Sequence, residues 1–455
     1  MRPLEHVDVR ATEPPARRRR GWPLLGDLAA IRRDPLAFFA RVAREGDLVP
    51  LRLGRELLLL NHPDHVQRVL HDNAGNYRKS FLYRRIEPLV GKGLLTAEGA
   101  DWKRKRRLAQ PAFHRERLGS FVAIMAAHTG AMLERWDAAA ARGAPVDVSA
   151  EMMRLTLGIV GHALFGQDLL GEADTAGRAL TTALRITNDR FFSAVYLPPW
   201  VPTPTNLRFA RAKRVLDALV ERLVAARRGG APREDLLGML MAARDDESGE
   251  GLTDAELRDE VMTMVLAGHE TTANALGWAL HLLGGAPDVD ARVHAQAAEV
   301  LGGRAAALAD LPRLELVARV NQESMRLFPP AWVFGREAIE ADRFGDLPVP
   351  AGQPVTICTW TLHRDPRFFG DPGRFDPDRF LPERSASRPR FAYVPFAAGP
   401  RMCIGHAFAT MEMTVALAMI ANRYRLEPVP GRPVEPEASV TLRPRSGIWM
   451  RLVPR

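Results

Sequence analysis

Apolar residues recur at three- and four-residue intervals through most of the stretch from about residue 100 to 330, the period of helices with one buried face. The clearest case is LTDAELRDEVMTMVLAGHETTANALGWALHLLGG. Thr253 stands there as an N-cap, with Glu256 three residues later completing a capping box, and Gly284-Gly285 provide the stop. Roughly thirty residues lie between these signals, apolar around most of the middle. A helix of that kind is expected to cross the core rather than lie on the surface.

Strand-like alternation is confined to short pieces. LVPLRLGRELLLLNHP predicts a hairpin, and QPVTICTWTLHRDP predicts a late strand. From Ala341 to Ser387 the chain is rich in Pro, Asp, Phe and Arg with little helical period, which reads as a long ordered meander. No repeat and no linker divides the chain. The expected architecture is one large, mainly α domain over residues 21–455 with small accessory sheets, preceded by a flexible basic arm over residues 1–20.

Composition narrows the class. The chain is 46% hydrophobic and 26% charged, enough apolar residues for a sizeable core. No stretch reaches the roughly 18–20 uninterrupted apolar residues of a membrane span, and the charged start has no apolar signal region, so a cytoplasmic protein without an anchor is expected. Two cysteines, Cys358 and Cys403, cannot build a disulfide framework or a four-cysteine zinc site. A net charge of +9 admits acidic partners, with clusters at Arg17–Arg20 and in DWKRKRRLAQ, yet no nucleic-acid module accompanies either.

Chemistry concentrates in FAAGPRMCIGHAF, residues 396–408. Glycines at 399 and 405 suit a backbone that turns tightly or approaches something closely. After Gly405 the apolar period of HAFATMEMTVALAMIANRY begins, so Cys403 falls just before or at a helix N-terminus, where a thiol pKa is expected to be lowered. Such a thiolate fits a nucleophile or a metal ligand; a lone cysteine also fits a small buried hydrophobe. Cys358, in a strand-like apolar run, reads as core.

The spacing Phe396-x-x-Gly399-x-Arg401-x-Cys403-x-Gly405 resembles the haem-ligand loop of the cytochrome P450 family. Four further stretches share the resemblance in the family's order: AGHETT in the long helix, Glu323 and Arg326 in ESMR, Arg379 in FDPDRF, and Trp102 with Arg106 in WKRKR. Together they cover about Gly21 to Leu452.

The resemblance implies the P450 fold, a haem b cofactor and Cys403 as the thiolate ligand of its iron, with Phe396 packed beside the sulfur. It implies that Arg106, Arg336 and Arg401 bind the haem propionates and that Trp102 can donate its indole N–H. Glu323, Arg326 and Arg379 would form a buried charge cluster that pins the meander, with Asp378 of little consequence. In the long helix Gly268 would leave room for oxygen and substrate, while Glu270 and Thr271 would relay protons as a general-acid pair. Thr272 reads as packing, and His269 is not expected to bind the haem.

The implied activity is that of a monooxygenase placing one atom of O2 into an apolar substrate of terpenoid, fatty acid, steroid or macrolide type, as in secondary metabolism. Apolar residues in YRKSFLYRRIEPLVGKG, DRFFSAVYLPPW and PPAWVFG suit such a pocket. A peroxygenase, a non-oxidative haem-thiolate enzyme, or a haem-thiolate sensor or binding protein on the same fold are the alternatives. Electrons would come from a separate ferredoxin or flavodoxin. Helical geometry turns Lys103, Arg104 and Arg107 away from the face shared by Trp102 and Arg106, so these three are expected to form its docking patch.

Overall fold

A computed structural model of the protein describes residues 27–53, 55–167, 169, 173–191, 197–228 and 235–455. The basic arm expected over residues 1–20 lies outside these, as do residues 21–26 of the expected domain. Among the described residues nine helices run eleven residues or longer: α1 Gly99–Ala109, α2 Arg115–Ala141, α3 Val148–Phe165, α4 Ala173–Phe191, α5 Pro204–Arg228, α6 Asp254–Gly284, α7 Pro287–Leu301, α8 Glu315–Leu327 and α9 His406–Arg423. The fold is mainly α, as the periodicity predicts.

Helix α6 forms where its end signals place it. The Thr253 hydroxyl accepts from Glu256 N at 3.3 Å, and the Glu256 carboxylate accepts from Thr253 N at 2.9 Å. This reciprocal pair satisfies donors that the first turn leaves free. Helices α3, α8 and α9 pack along α6. From Glu260 to Leu280 every residue of α6 is buried except Ala267, Gly268 and Thr271. Those three lie at i, i+1 and i+4, so one short patch of a core helix remains open.

Strands occupy the margins. β1 Leu48–Arg52 and β2 Glu56–Leu60 form the predicted hairpin, with Arg52 opposite Glu56. With β3 Tyr77–Lys79, β4 Phe334–Ala338 and β5 Pro354–Ile357 they make a five-stranded sheet ordered β1-β2-β5-β4-β3. The late strand is shorter than the sequence suggests: it stops at Ile357, and residues Thr359–Leu362 turn helical with Cys358 at the N-cap position. Cys358 is a core residue, its thiol pushed up to about 11 by burial.

A second hairpin, β6 Pro436–Ala438 and β7 Leu442–Pro444, reaches into the helical body. Two buried indoles pin its turn. Trp332 Nε1 donates to Ser439 O at 2.7 Å, and Trp278 Nε1 of α6 donates to Leu442 O at 3.2 Å. Trp332 is therefore core rather than the substrate-facing residue expected from PPAWVFG, and Phe39 packs edge-on against it.

The meander is held by the charge cluster. Arg326 forks Glu323 at 2.7 and 2.8 Å, and Arg379 Nε reaches the same carboxylate at 3.0 Å, all three side chains being buried. The remaining guanidinium donors bind meander carbonyls: Arg326 those of His363, Pro372 and Arg374, Arg379 those of Gly370, Asp371 and Arg374. One carboxylate thus anchors two planar forks that carry a loop with little ladder of its own. Asp378 has partners of its own. It pairs with Arg292 of α7 at 2.9 Å and lies 3.6 Å from Arg319 of α8, tying the meander to two helices.

Candidate functional site

The cysteine loop is shaped by a close backbone crossing. Gly399 has φ +66°, and a Cβ there would overlap the carbonyl oxygen of Leu70. Only glycine fits at that point. Ala397 also sits at φ +56°, a left-handed conformation that costs a side-chain-bearing residue on the order of 1–3 kcal/mol. Cys403 N donates to Phe396 O at 2.9 Å, closing the loop before α9 begins at His406. Phe396 is half-buried against the main core and meets His406 edge-on at 6.3 Å.

Cys403 is exposed, at the point where the loop turns into α9. Desolvation by the protein around it raises the thiol pKa, while the Gly405 N–H and the Arg106 charge pull it down. The net direction is upward, against the lowering expected from the nearby helix N-terminus. Desolvation outweighs the backbone donor in this setting.

Cations gather around the loop. Arg106 of α1 is half-buried; its Nη1 donates to Met402 O at 3.0 Å, and among the described residues no carboxylate pairs with it. Burial lowers its pKa and Cys403 opposes that. Arg401 stacks on Trp102 with its guanidinium 4.5 Å from the ring centroid and forks Glu98 at 2.9 and 2.5 Å. Arg336 is buried on β4, bonded through Nη1 to the Gly335 carbonyl, and likewise has no carboxylate partner among the described residues.

A further member escaped the sequence. Lys79 on β3 stands opposite Arg336 on β4. Its Nζ donates to the carbonyls of Leu94 at 3.0 Å and Ala97 at 2.6 Å, and lies 3.9 Å from Glu98. Burial drives this ammonium down to about 7. Four cations, Lys79, Arg106, Arg336 and Arg401, thus gather with Glu98 as the carboxylate between two of them.

The basic cluster of α1 has another role than the one expected. Arg104 bonds Glu256 and the Gly251 carbonyl, Arg107 pairs with Asp245 at 2.8 Å and Glu247 at 2.9 Å, and Lys105 is buried against Asp101 and the Lys92 carbonyl. Only Lys103 of the three expected docking cations is exposed and outside these pairs. Helix α1 packs against the acidic segment leading into α6, and its positive charge is neutralised there.

On α6 the threonines satisfy backbone: Thr271 Oγ1 donates to Ala267 O at 2.7 Å and Thr272 Oγ1 to Gly268 O at 3.1 Å. A Cβ on Gly268 would meet Val160 of α3 at 3.3 Å. His269 faces α3, where its carbonyl accepts from Thr156, and burial lowers its ring to about 4. Glu270 is buried, raised in pKa chiefly by that burial, and its Oε1 accepts from Thr441 Oγ1 at 2.8 Å. Its carboxyl therefore bonds the β6–β7 turn.

The match to known proteins agrees with this arrangement. A model of the cytochrome P450 family matches residues 15–450. This chain is a cytochrome P450. Cyclooctatin synthase of Streptomyces melanosporofaciens is 41% identical over 93% of this chain and 92% of its own. Cyclooctat-9-en-7-ol 5-monooxygenase of the same organism is 38% identical over 90% and 89%. Pentalenene oxygenase of Streptomyces avermitilis is 33% identical over 99% of both chains.

This P450 is a haem-dependent monooxygenase that acts on an organic substrate with O2 and electrons from a redox partner. Its residues fit the cofactor. A buried guanidinium without a carboxylate is costly unless an anion meets it. Among the described residues Arg336 is such a group, half-buried Arg106 also lacks a carboxylate, and haem brings two propionates. Among the described residues no helix is long and apolar enough to cross a membrane.

Proposed function

We propose that Cys403 is the thiolate ligand of a haem b, that Arg106, Arg336 and Arg401 with Trp102 and Lys79 bind its propionates, and that Glu270 and Thr271 govern proton delivery. The observation that carries this reading is the exposed Cys403 with the Arg106 charge acting on it, beside a group of cations that includes Arg336 without a carboxylate partner among the described residues. Bound there, the haem iron would supply O2 activation, helped by electron push from a thiolate.

The protein's own groups do the rest. Arg336 and Arg106 would neutralise the acid groups of the haem and hold it in place. Arg401 shares its fork with Glu98, so it acts as a stacked wall beside Trp102 as well as a cation. Phe396 shields the sulfur from water. Ala267 leaves only a methyl in the open patch on α6, while Gly268 lets α6 pack closely on Val160 of α3. The Thr271 hydroxyl donates to Ala267 O, which leaves its lone pairs free to accept from a water.

The proposed substrate is a cyclic terpenoid hydrocarbon or alcohol, the class shared by the relatives named for cyclooctatin, cyclooctat-9-en-7-ol and pentalenene. The proposed electron donor is a ferredoxin or flavodoxin in the cytoplasm, where the unpaired Cys403 thiol stays reduced. Binding titrations of a cyclic terpene panel, followed by the haem absorption spectrum, test the substrate. Saturable spectral shifts with cyclic terpenes are expected; shifts confined to fatty acids or macrolides would refute it.

A further inference from the structure

Thr441 sits at the tip of the β6–β7 turn between two partners that constrain it differently. Asn274 Nδ2 donates to Thr441 Oγ1 at 3.1 Å, and Thr441 Oγ1 donates to Glu270 Oε1 at 2.8 Å. All three side chains are buried. A hydroxyl owns one proton. With Asn274 filling one of the hydroxyl's two lone pairs, its proton goes to Glu270 Oε1, the acceptor it meets among the described residues. When the carboxyl is protonated, its hydrogen is then favoured on Oε2, because placing it on Oε1 would leave the Thr441 proton without an acceptor. That oxygen is buried and finds no partner among the described residues.

We infer that Thr441, oriented by Asn274, is a positioning residue for Glu270: it reserves one carboxyl oxygen as acceptor and confines the transferable proton to the other. The inference rests on the proton-delivery role proposed above for Glu270. The turn is suited to the task because the Trp278 and Trp332 indoles fix it on either side of Thr441.

Few other charges bear on the carboxyl. On β7, Arg443 acts on it from a distance and is itself held by Glu437 of β6 at 2.8 Å. Helix α3 presents Thr156, bonded to His269 O, and α8 presents Ser324, bonded to Ala275 O, both uncharged. The adjacent His269 ring is neutral at ordinary pH.

The test uses Thr441→Val and Thr441→Ser in the haem-loaded enzyme, with Glu270→Gln as reference. Infrared spectra identify the protonated carboxyl stretch of Glu270 as the band that Glu270→Gln removes. Losing the hydroxyl should move that band to higher frequency in Thr441→Val, and Thr441→Ser should restore it. The hydroxyl also stabilises the charged carboxylate, so Thr441→Val raises the Glu270 pKa further. The alkaline limb of product formed per reductant consumed should therefore move up by about one to two pH units, the worth of one hydrogen bond to a charged group. An unmoved band and unmoved limb in Thr441→Val would overturn the inference. Unchanged coupling in Glu270→Gln would instead overturn the proton-delivery role. If Thr441→Val does not fold, Asn274→Leu serves: freeing the hydroxyl should split the band in two, and a single unshifted band would overturn the inference.

Discussion

Lys79 and Arg336 stand opposite each other on neighbouring antiparallel strands, a cation whose side chain is 8% exposed in direct register with a buried one. Like charges opposite one another on a sheet are destabilising by themselves. Glu98 relieves one side of the pair, accepting from Lys79 N at 2.8 Å and lying 3.9 Å from its ammonium. Among the described residues Arg336 meets a neighbouring carbonyl and the Phe334 ring but no carboxylate. The arrangement makes sense as a receptor for acid groups.

Haem binding is expected to depend on pH through Lys79. Burial lowers its pKa from 10.5 to about 7, with Glu98 opposing and Arg401 and Arg336 adding to the effect. Between those values the unfolded chain holds a proton that the cofactor-free fold does not, so stability rises with pH across that window. An arriving propionate favours the charged form and raises the pKa again. Haem capture above pH 7 should therefore take up a proton, and affinity should fall as pH climbs. Titrations with haem from pH 6.5 to 9.5 check this, and Lys79→Met should flatten the slope.

Arg336→Leu should weaken haem retention by about 10- to 100-fold, the worth of one charge-assisted hydrogen bond. Transfer of haem to a scavenging apoprotein measures it. The fold should survive, since the leucine removes a buried cation that no protein carboxylate matches.

Cys403→Ser is expected to abolish the long-wavelength absorption band of the reduced carbon monoxide complex, the mark of thiolate ligation. Retention of that band would place the ligand elsewhere.

Thr271→Ala should leave substrate-induced spectral shifts and reduction intact while peroxide rises at the expense of product. The ratio of product formed to reductant consumed is the measurement. Thr272→Ala, which loses only a bond to the Gly268 carbonyl, should change that ratio little.

Two acidic residues of the meander region should behave differently. Removing the fully buried Glu323 leaves two guanidiniums unmatched and should cost about 3–5 kcal/mol. Asp378→Ala breaks more exposed pairs and should cost about 0–1 kcal/mol. Denaturation midpoints of the two variants separate these outcomes.

The sequence made local features legible and long-range ones obscure. The bounds of α6 follow from Thr253, Glu256 and Gly285, because caps act within four residues. The cysteine loop and the Glu323–Arg326–Arg379 cluster follow from spacing and family pattern. Lys79 was hidden because its place depends on β3 pairing with β4, more than 250 residues later. Thr441 was hidden for the same reason: nothing in ASVTLRP shows which carboxyl it meets. The ion pairing of Arg104 and Arg107 was not legible because helical geometry says which residues turn outward and not what packs there. Asp245, Glu247 and Glu256 were waiting on the neighbouring segment.

The crossing of Gly399 over the Leu70 carbonyl also sets an order of events in time. Leu70, Lys79, Trp102 and Arg106 all belong to the first quarter of the chain, whereas Cys403 is made about three hundred residues after them. At about 5–20 residues per second, a ribosome leaves those early groups without their cysteine for on the order of 15–60 seconds. During that interval the early cations wait for Arg336 and Arg401 as well as for the sulfur, and the site is completed only when a nascent segment with a glycine at 399 can slide beneath residue 70.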